Sequence, residues 1–119
     1  MDNNEKRAEK VLKQFGFNFN PDYRNEIRKL LIEEINNYQD GSSEYLRVLC
    51  GYLFCLGDPD DIELIKKAKY EINFDVSCMI DSEWIDSMEG KWDLVNENST
   101  REELVQYYVD YYRNYFGIK

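Results

Sequence analysis

An all-α fold is what this sequence predicts, and three observations carry the prediction. Apolar residues recur at the i, i+3, i+4, i+7 spacing of a helix face in run after run. Two of the runs open with the same cap-then-proline device, Asn20-Pro21-Asp22 and Asp58-Pro59-Asp60, in which a polar side chain caps and proline fits a first turn that needs no amide donor. Turn residues then close the runs, notably Gly16, Gly41 and Gly57. At 119 residues the chain is read as a single helical domain over 1–119, long enough to bury roughly two-thirds of its unfolded surface.

In order, Asn4 to Phe15 places Ala8, Val11, Leu12 and Phe15 on one face, and Phe17 and Phe19 in the connector are read as plugs at the end of the core. The second helix follows Pro21, with Tyr23, Ile27, Leu30, Leu31, Ile35 and Tyr38 on its buried face. Ser42 or Ser43 caps a third, from Leu46, whose Leu49, Cys50, Tyr52, Leu53, Phe54 and Leu56 make it apolar on most sides. The chain is organised around this helix and the hairpin it forms through Gly57. In the fourth, Asp60, Asp61 and Glu63 lie at the positive end of the helix dipole and Lys66, Lys67 and Lys69 near the negative end. Asp75 caps a fifth, continuous to about Ser87, with Val76, Met79, Ile80 and Trp84 inward. A loop from Glu89 to Asn98 follows, anchored by Trp92, Leu94 and Val95. Ser99 with Glu102 forms a capping box for the last helix, whose Leu104, Tyr107, Tyr108, Tyr111, Tyr112 and Tyr115 share a face too aromatic to be left in water.

Five to six helices result, as antiparallel hairpins packed in an irregular bundle or a short HEAT-like solenoid. The solenoid alternative rests on the recurrence of the proline device at an interval slightly below the roughly 40 to 47 residues of such helix pairs. Gly51, inside a buried helix, calls for close approach of a neighbouring backbone.

Composition excludes more than it identifies. With 24 acidic against 15 basic residues the net charge is −9, unsuited to nucleic-acid phosphate and suited to a basic partner. The start, Met1 to Arg7, is polar with no apolar segment behind it, so no secretory signal is expected; no run reaches membrane-spanning length. Three cysteines without paired spacing fit a reducing, cytoplasmic setting and are read as small buried apolar residues.

There is no histidine, which removes Ser-His, Cys-His and His-ligated metal arrangements together. No phosphate-binding glycine loop or nucleophile elbow appears, and the acidic run at Asp58 to Glu63 lacks the glycine and distal glutamate of a calcium loop. No catalytic, cofactor or metal residues are therefore expected. Asp81, Glu83 and Asp86 around Trp84 are the best carboxylates for acid–base work, and a solvated face beside a buried tryptophan is the competing account.

What remains is surface. From Asp81 to Glu103 acids outnumber bases heavily, and Trp84, Trp92, Tyr107 and Tyr108 are interleaved with them, a mixture of aromatic anchors and charged rim that protein interfaces use. The expected partner-binding residues are Asp81, Glu83, Trp84, Asp86, Glu89, Trp92 and Asp93. The stretch Tyr45 to Trp84, with its Leu49-Cys50-Gly51-Tyr52 helix, Gly57-Asp58-Pro59 turn and Phe74-Asp75-Val76 helix start, resembles the small acidic all-helical immunity proteins encoded beside bacterial polymorphic toxins. That resemblance implies a non-enzymatic inhibitor that covers a basic toxin domain, with no family residues to carry over. The alternative is an adaptor that self-associates through its tyrosine-rich last helix; an enzyme using Asp81 or Glu83 is the third reading.

Overall fold

The computed structural model describes residues 1–90 and 100–118. Among them are seven α-helices and no strand: α1 Asn3–Phe15, α2 Arg24–Asn36, α3 Glu44–Leu56, α4 Ile62–Glu71, α5 Phe74–Met79, α6 Ser82–Met88 and α7 Arg101–Phe116. One-turn 3-10 helices, Pro21–Tyr23 and Pro59–Asp61, lead into α2 and α4. Both form as the sequence predicts: Asn20 Oδ1 accepts from the Asp22 amide and Asp58 Oδ1 from the Asp60 amide, each at 2.9 Å.

The apolar sequence of α3 puts it at the centre. From Glu44 to Phe54 every residue except Arg47 is buried, and α3 touches all six other helices. In a solenoid each repeat meets only its neighbours, so the arrangement is a bundle around one helix and the HEAT-like alternative is set aside. The two flanks of the bundle differ: α1 and α2 lie against α3 with amphipathic faces led by Ala8, Leu12, Ile27 and Leu31, and Phe19 closes the end of the core on the Tyr52 ring at 4.9 Å.

Charge also enters the interior. Asp61 has no exposed surface; Arg24 donates to it through Nε at 2.8 Å and Nη2 at 2.9 Å, and Arg28 is ion-paired with it as well. A buried carboxylate persists only when paired, so this cluster fixes the start of α4 against the start of α2. Asp61 thus does more than face the helix dipole, and its partners lie 37 and 33 residues away, beyond the reach of local sequence pattern.

The expected continuous helix after Asp75 is instead two short ones. Asn73, rather than Asp75, caps α5 by accepting from the Val76 amide at 2.9 Å, and Ile80 and Asp81 are extended. Lys69 explains the break. Its side chain is buried and Nζ donates to the carbonyls of Ser77 and Ile80, so the end of α5 is capped by an ammonium from α4. Among the cysteines Cys50 is buried and Cys55 half-buried, but Cys78 is exposed, against expectation.

Candidate functional site: a tyrosine and carboxylate face

The last helix starts one residue later than the sequence predicts. Thr100 and Glu103, rather than Ser99 and Glu102, form the capping box: Thr100 Oγ1 accepts from the Glu103 amide at 3.2 Å and Glu103 Oε1 accepts from the Thr100 amide at 3.3 Å. Arg101 then reaches the far end of α3, donating from Nη2 to the carbonyls of Phe54 at 2.7 Å and Cys55 at 3.1 Å. These are C-terminal carbonyls with no partner inside their helix, and a guanidinium satisfies them. Further along, the Tyr108 hydroxyl donates to the Val48 carbonyl at 2.7 Å and the Tyr112 hydroxyl to Glu44 Oε2 at 2.7 Å. Partners that fall in α3 as they rise in α7 mean that the two helices run antiparallel.

Gly51 is what lets α7 approach. A Cβ there would stand 2.2 Å from Tyr108 Cε2 and 2.9 Å from Trp84 Cη2, closer than such atoms can come. The expected close neighbour was backbone; it is a pair of aromatic rings. Trp84 fills this notch, 1% exposed, stacked on Phe54 with centroids 5.7 Å apart and planes at 11°, and meeting the edge of Tyr108 at 6.0 Å. It therefore leaves the partner-binding set, because a ring enclosed between α3 and α7 presents nothing to a partner.

The other expected contact residues divide. Asp81 stands at the start of α6 with its side chain 47% exposed, 3.4 Å from Arg47 Nη2. Glu83 and Asp86 are half-buried on α6, and Glu89 at its end is ion-paired with Lys66 at 2.9 Å. Trp92 and Asp93, like the loop anchors Leu94 and Val95, lie outside the described residues.

On α7 the expected single aromatic face splits along its length. Leu104, Tyr108 and Tyr112 are buried, whereas Tyr107 and Tyr111, each one position before a buried tyrosine, and Tyr115 are 57%, 39% and 44% exposed. The buried seam is completed by Val109, so it is rotated away from the exposed tyrosines. Tyr107, Tyr111 and Tyr115 follow i, i+4 spacing and make one stripe, with Glu103 and Asp110 on the helix surface beside it.

The stripe is held from beneath. Glu44, 4% exposed, accepts from the Tyr111 hydroxyl at 3.0 Å as well as from Tyr112, and Glu5 of α1 accepts from the Tyr115 hydroxyl at 2.7 Å. Arg47 lies over the rings of Tyr111 at 4.5 Å, Trp84 at 5.0 Å and Tyr112 at 5.3 Å while pairing with Asp81. Thus Arg47 joins the acidic start of α6 to the tyrosine stripe of α7. Burial pushes the Tyr112 and Tyr108 phenols well above the ordinary tyrosine value, and the hydrogen bond to the Glu5 carboxylate raises Tyr115. These phenols therefore stay neutral donors at neutral pH.

Arg47 and Glu44 were missed in the sequence because each reads as a solvated charge on a helix. The signal for them is their place at i, i+3 as the two charged residues of the otherwise uncharged α3. Among the described residues, no three His, Cys, Asp or Glu side chains are grouped to hold a metal ion, and no helix is long and apolar enough to cross a membrane. Comparison of the chain with protein families, with characterised proteins and with solved structures finds no match.

Proposed function

We propose that this chain is a non-enzymatic protein-binding module that takes a basic protein partner on the face formed by Tyr107, Tyr111, Tyr115 and Asp81. Its most concrete form is a cytoplasmic immunity-type inhibitor that covers a basic toxin domain. The observation that carries the reading is the row of three exposed tyrosines beside carboxylates on a helix whose opposite seam, Leu104, Tyr108, Val109 and Tyr112, is seated in the core. Tyrosine contributes large contact area with little rotamer entropy to lose, and it is enriched where interfaces concentrate their energy. The net charge of −9 adds a long-range field that speeds encounter with a cation and repels an anion. Self-association through the same stripe, the adaptor reading, would set Glu103, Asp110 and Asp81 of two copies near one another, a like-charge arrangement that works against it.

The test is affinity capture of the tagged chain from its own cell lysate at low and moderate salt, with a folded Asp81→Lys, Asp86→Lys double variant beside it. The expected outcome is one basic partner whose capture falls with salt and with charge reversal, and whose toxicity the wild-type chain suppresses. A partner held equally by both chains would move the interface elsewhere. A stable dimer in sedimentation, with no other protein captured, would replace this reading by self-association.

A further inference from the structure

The basic groups that could meet this face are of two kinds, the compact ammonium of lysine and the planar guanidinium of arginine. We infer that the tyrosine stripe selects arginine, with a guanidinium of the partner lying on the ring of Tyr107 or Tyr115 and its N–H fork turned to a neighbouring carboxylate. The inference rests on the proposed basic partner and adds the side chain that is recognised.

Three observations support it. The first is that the stripe already holds a guanidinium in this way. Arg47 lies 4.5 Å from the Tyr111 centroid with Asp81 3.4 Å from its Nη2, so a ring face and a carboxylate together form its seat. The same pairing recurs at Arg7, 4.0 Å over Tyr45, with Nη1 and Nη2 donating to the two oxygens of Glu34 at 2.8 and 2.9 Å. Arg101 and Arg113 also lie over rings, Phe54 and Phe17, whereas among the described lysines only Lys69 approaches one, at 5.6 Å. A weakly hydrated planar cation stacks on an aromatic face at lower desolvation cost than an ammonium, and this chain uses that difference repeatedly.

The second observation concerns what the tyrosines offer. The hydroxyls of Tyr111 and Tyr115 are committed to Glu44 and Glu5, and the two rings are stacked at 5.8 Å with planes 21° apart. Their polar ends are occupied and their orientation is set, so recognition falls to the exposed ring surface. Tyr107, the most exposed of the three at 57%, meets no other aromatic ring among the described residues. The third is the placing of acids. Glu5 accepts from the Tyr115 hydroxyl through Oε2, while Glu103 and Asp110 flank Tyr107 on α7 and accept from Thr100 and Gln106 through Oε1 and Oδ1, so each of the two rings has a carboxylate near it.

The experiment is an NMR titration of the full chain with two peptides of equal length and charge, alternating glycine–arginine and alternating glycine–lysine, following tyrosine ring signals at low and moderate salt. The arginine peptide is expected to bind about two- to fivefold more tightly, the ratio that one exposed cation–π contact produces. Its shifts are expected on Tyr107 and Tyr115. Tyr107→Leu with Tyr115→Leu should bring the two peptides to equal affinity while leaving the lysine peptide unchanged, and Tyr115→Phe, which keeps the ring, should retain the preference. Equal binding of both peptides to the wild-type chain would overturn the arginine inference and leave the basic-partner proposal standing. Binding of neither at low salt would overturn both, and a preference that survives loss of the two rings would overturn the assignment to this stripe.

Discussion

Tyr108 and Tyr112 on one side, and Tyr107, Tyr111 and Tyr115 on the other, are the same residue type on the same helix with opposite fates. The first pair is enclosed, Tyr108 at 1% and Tyr112 at 0% exposure, with hydroxyls bonded to the Val48 carbonyl and the Glu44 carboxylate. The second group turns aside by about a hundred degrees per residue and keeps much of its ring in water. The difference teaches that a tyrosine is buried where its hydroxyl has an acceptor waiting and where a glycine makes room, as Gly51 does. An acceptor alone does not bury the ring: Tyr111 and Tyr115 donate to Glu44 and Glu5 through their hydroxyls and are still 39% and 44% exposed. Stability is therefore expected to reside in one row and recognition in the other.

The largest effect that would sharpen this comparison is alkaline unfolding. Tyr108 and Tyr112 are raised well above 10.0, chiefly by burial, and Tyr52 is pushed up to about 12 for the same reason. A folded value above the unfolded one means that the unfolded chain releases its proton first as pH rises. These groups contribute stability that is fully present below about pH 10 and is lost as pH climbs through their folded values. Helical circular dichroism and tyrosinate absorbance should then change together above pH 10, with urea stability level at neutral pH.

Next in size is Tyr108→Ala, expected to cost about 3–5 kcal/mol in urea unfolding, as removal of an enclosed aromatic ring does. Tyr112→Phe keeps the ring but leaves Glu44 short of one donor, and about 1.5–3 kcal/mol is expected from a lost hydrogen bond to a buried charged group. Gly51→Ala should cost about 1–3 kcal/mol, because its methyl requires the Tyr108 ring to shift. Smallest is Tyr107→Ala, within about 0.5 kcal/mol of wild type. A Tyr107→Ala cost approaching that of Tyr108→Ala would break the division into a stabilising row and a recognition row.

Most of the architecture was readable from local signals. The helix of Asn3 to Phe15, the paired proline turns and the apolar third helix depend on contacts within a few residues, and local chemistry is written in local sequence. The split of α5 from α6 was not readable, since the extended backbone at Ile80 is held by Lys69, eleven residues upstream along the chain. The face was legible only in part. Asp81 could be named, but the sequence put Tyr107, Tyr111 and Tyr115 on the buried face of the last helix, and Trp84 could not be assigned to core or surface until Gly51 and Tyr108 were placed beside it. Arg47 and Glu44, on which the face is built, were invisible because a charged residue announces its charge and not its partner.

The sequence by itself determined that this protein is all-helical and acidic and lacks histidine chemistry, and it determined where most helices begin, because spacing, capping and composition act over one or two turns. Only the tertiary structure decided which aromatic residues face the solvent. That depends on the rotation of α7 against α3, which is set by a glycine notch, two buried hydroxyl acceptors and one guanidinium that lie more than fifty residues away in the chain and within a few ångströms in the fold.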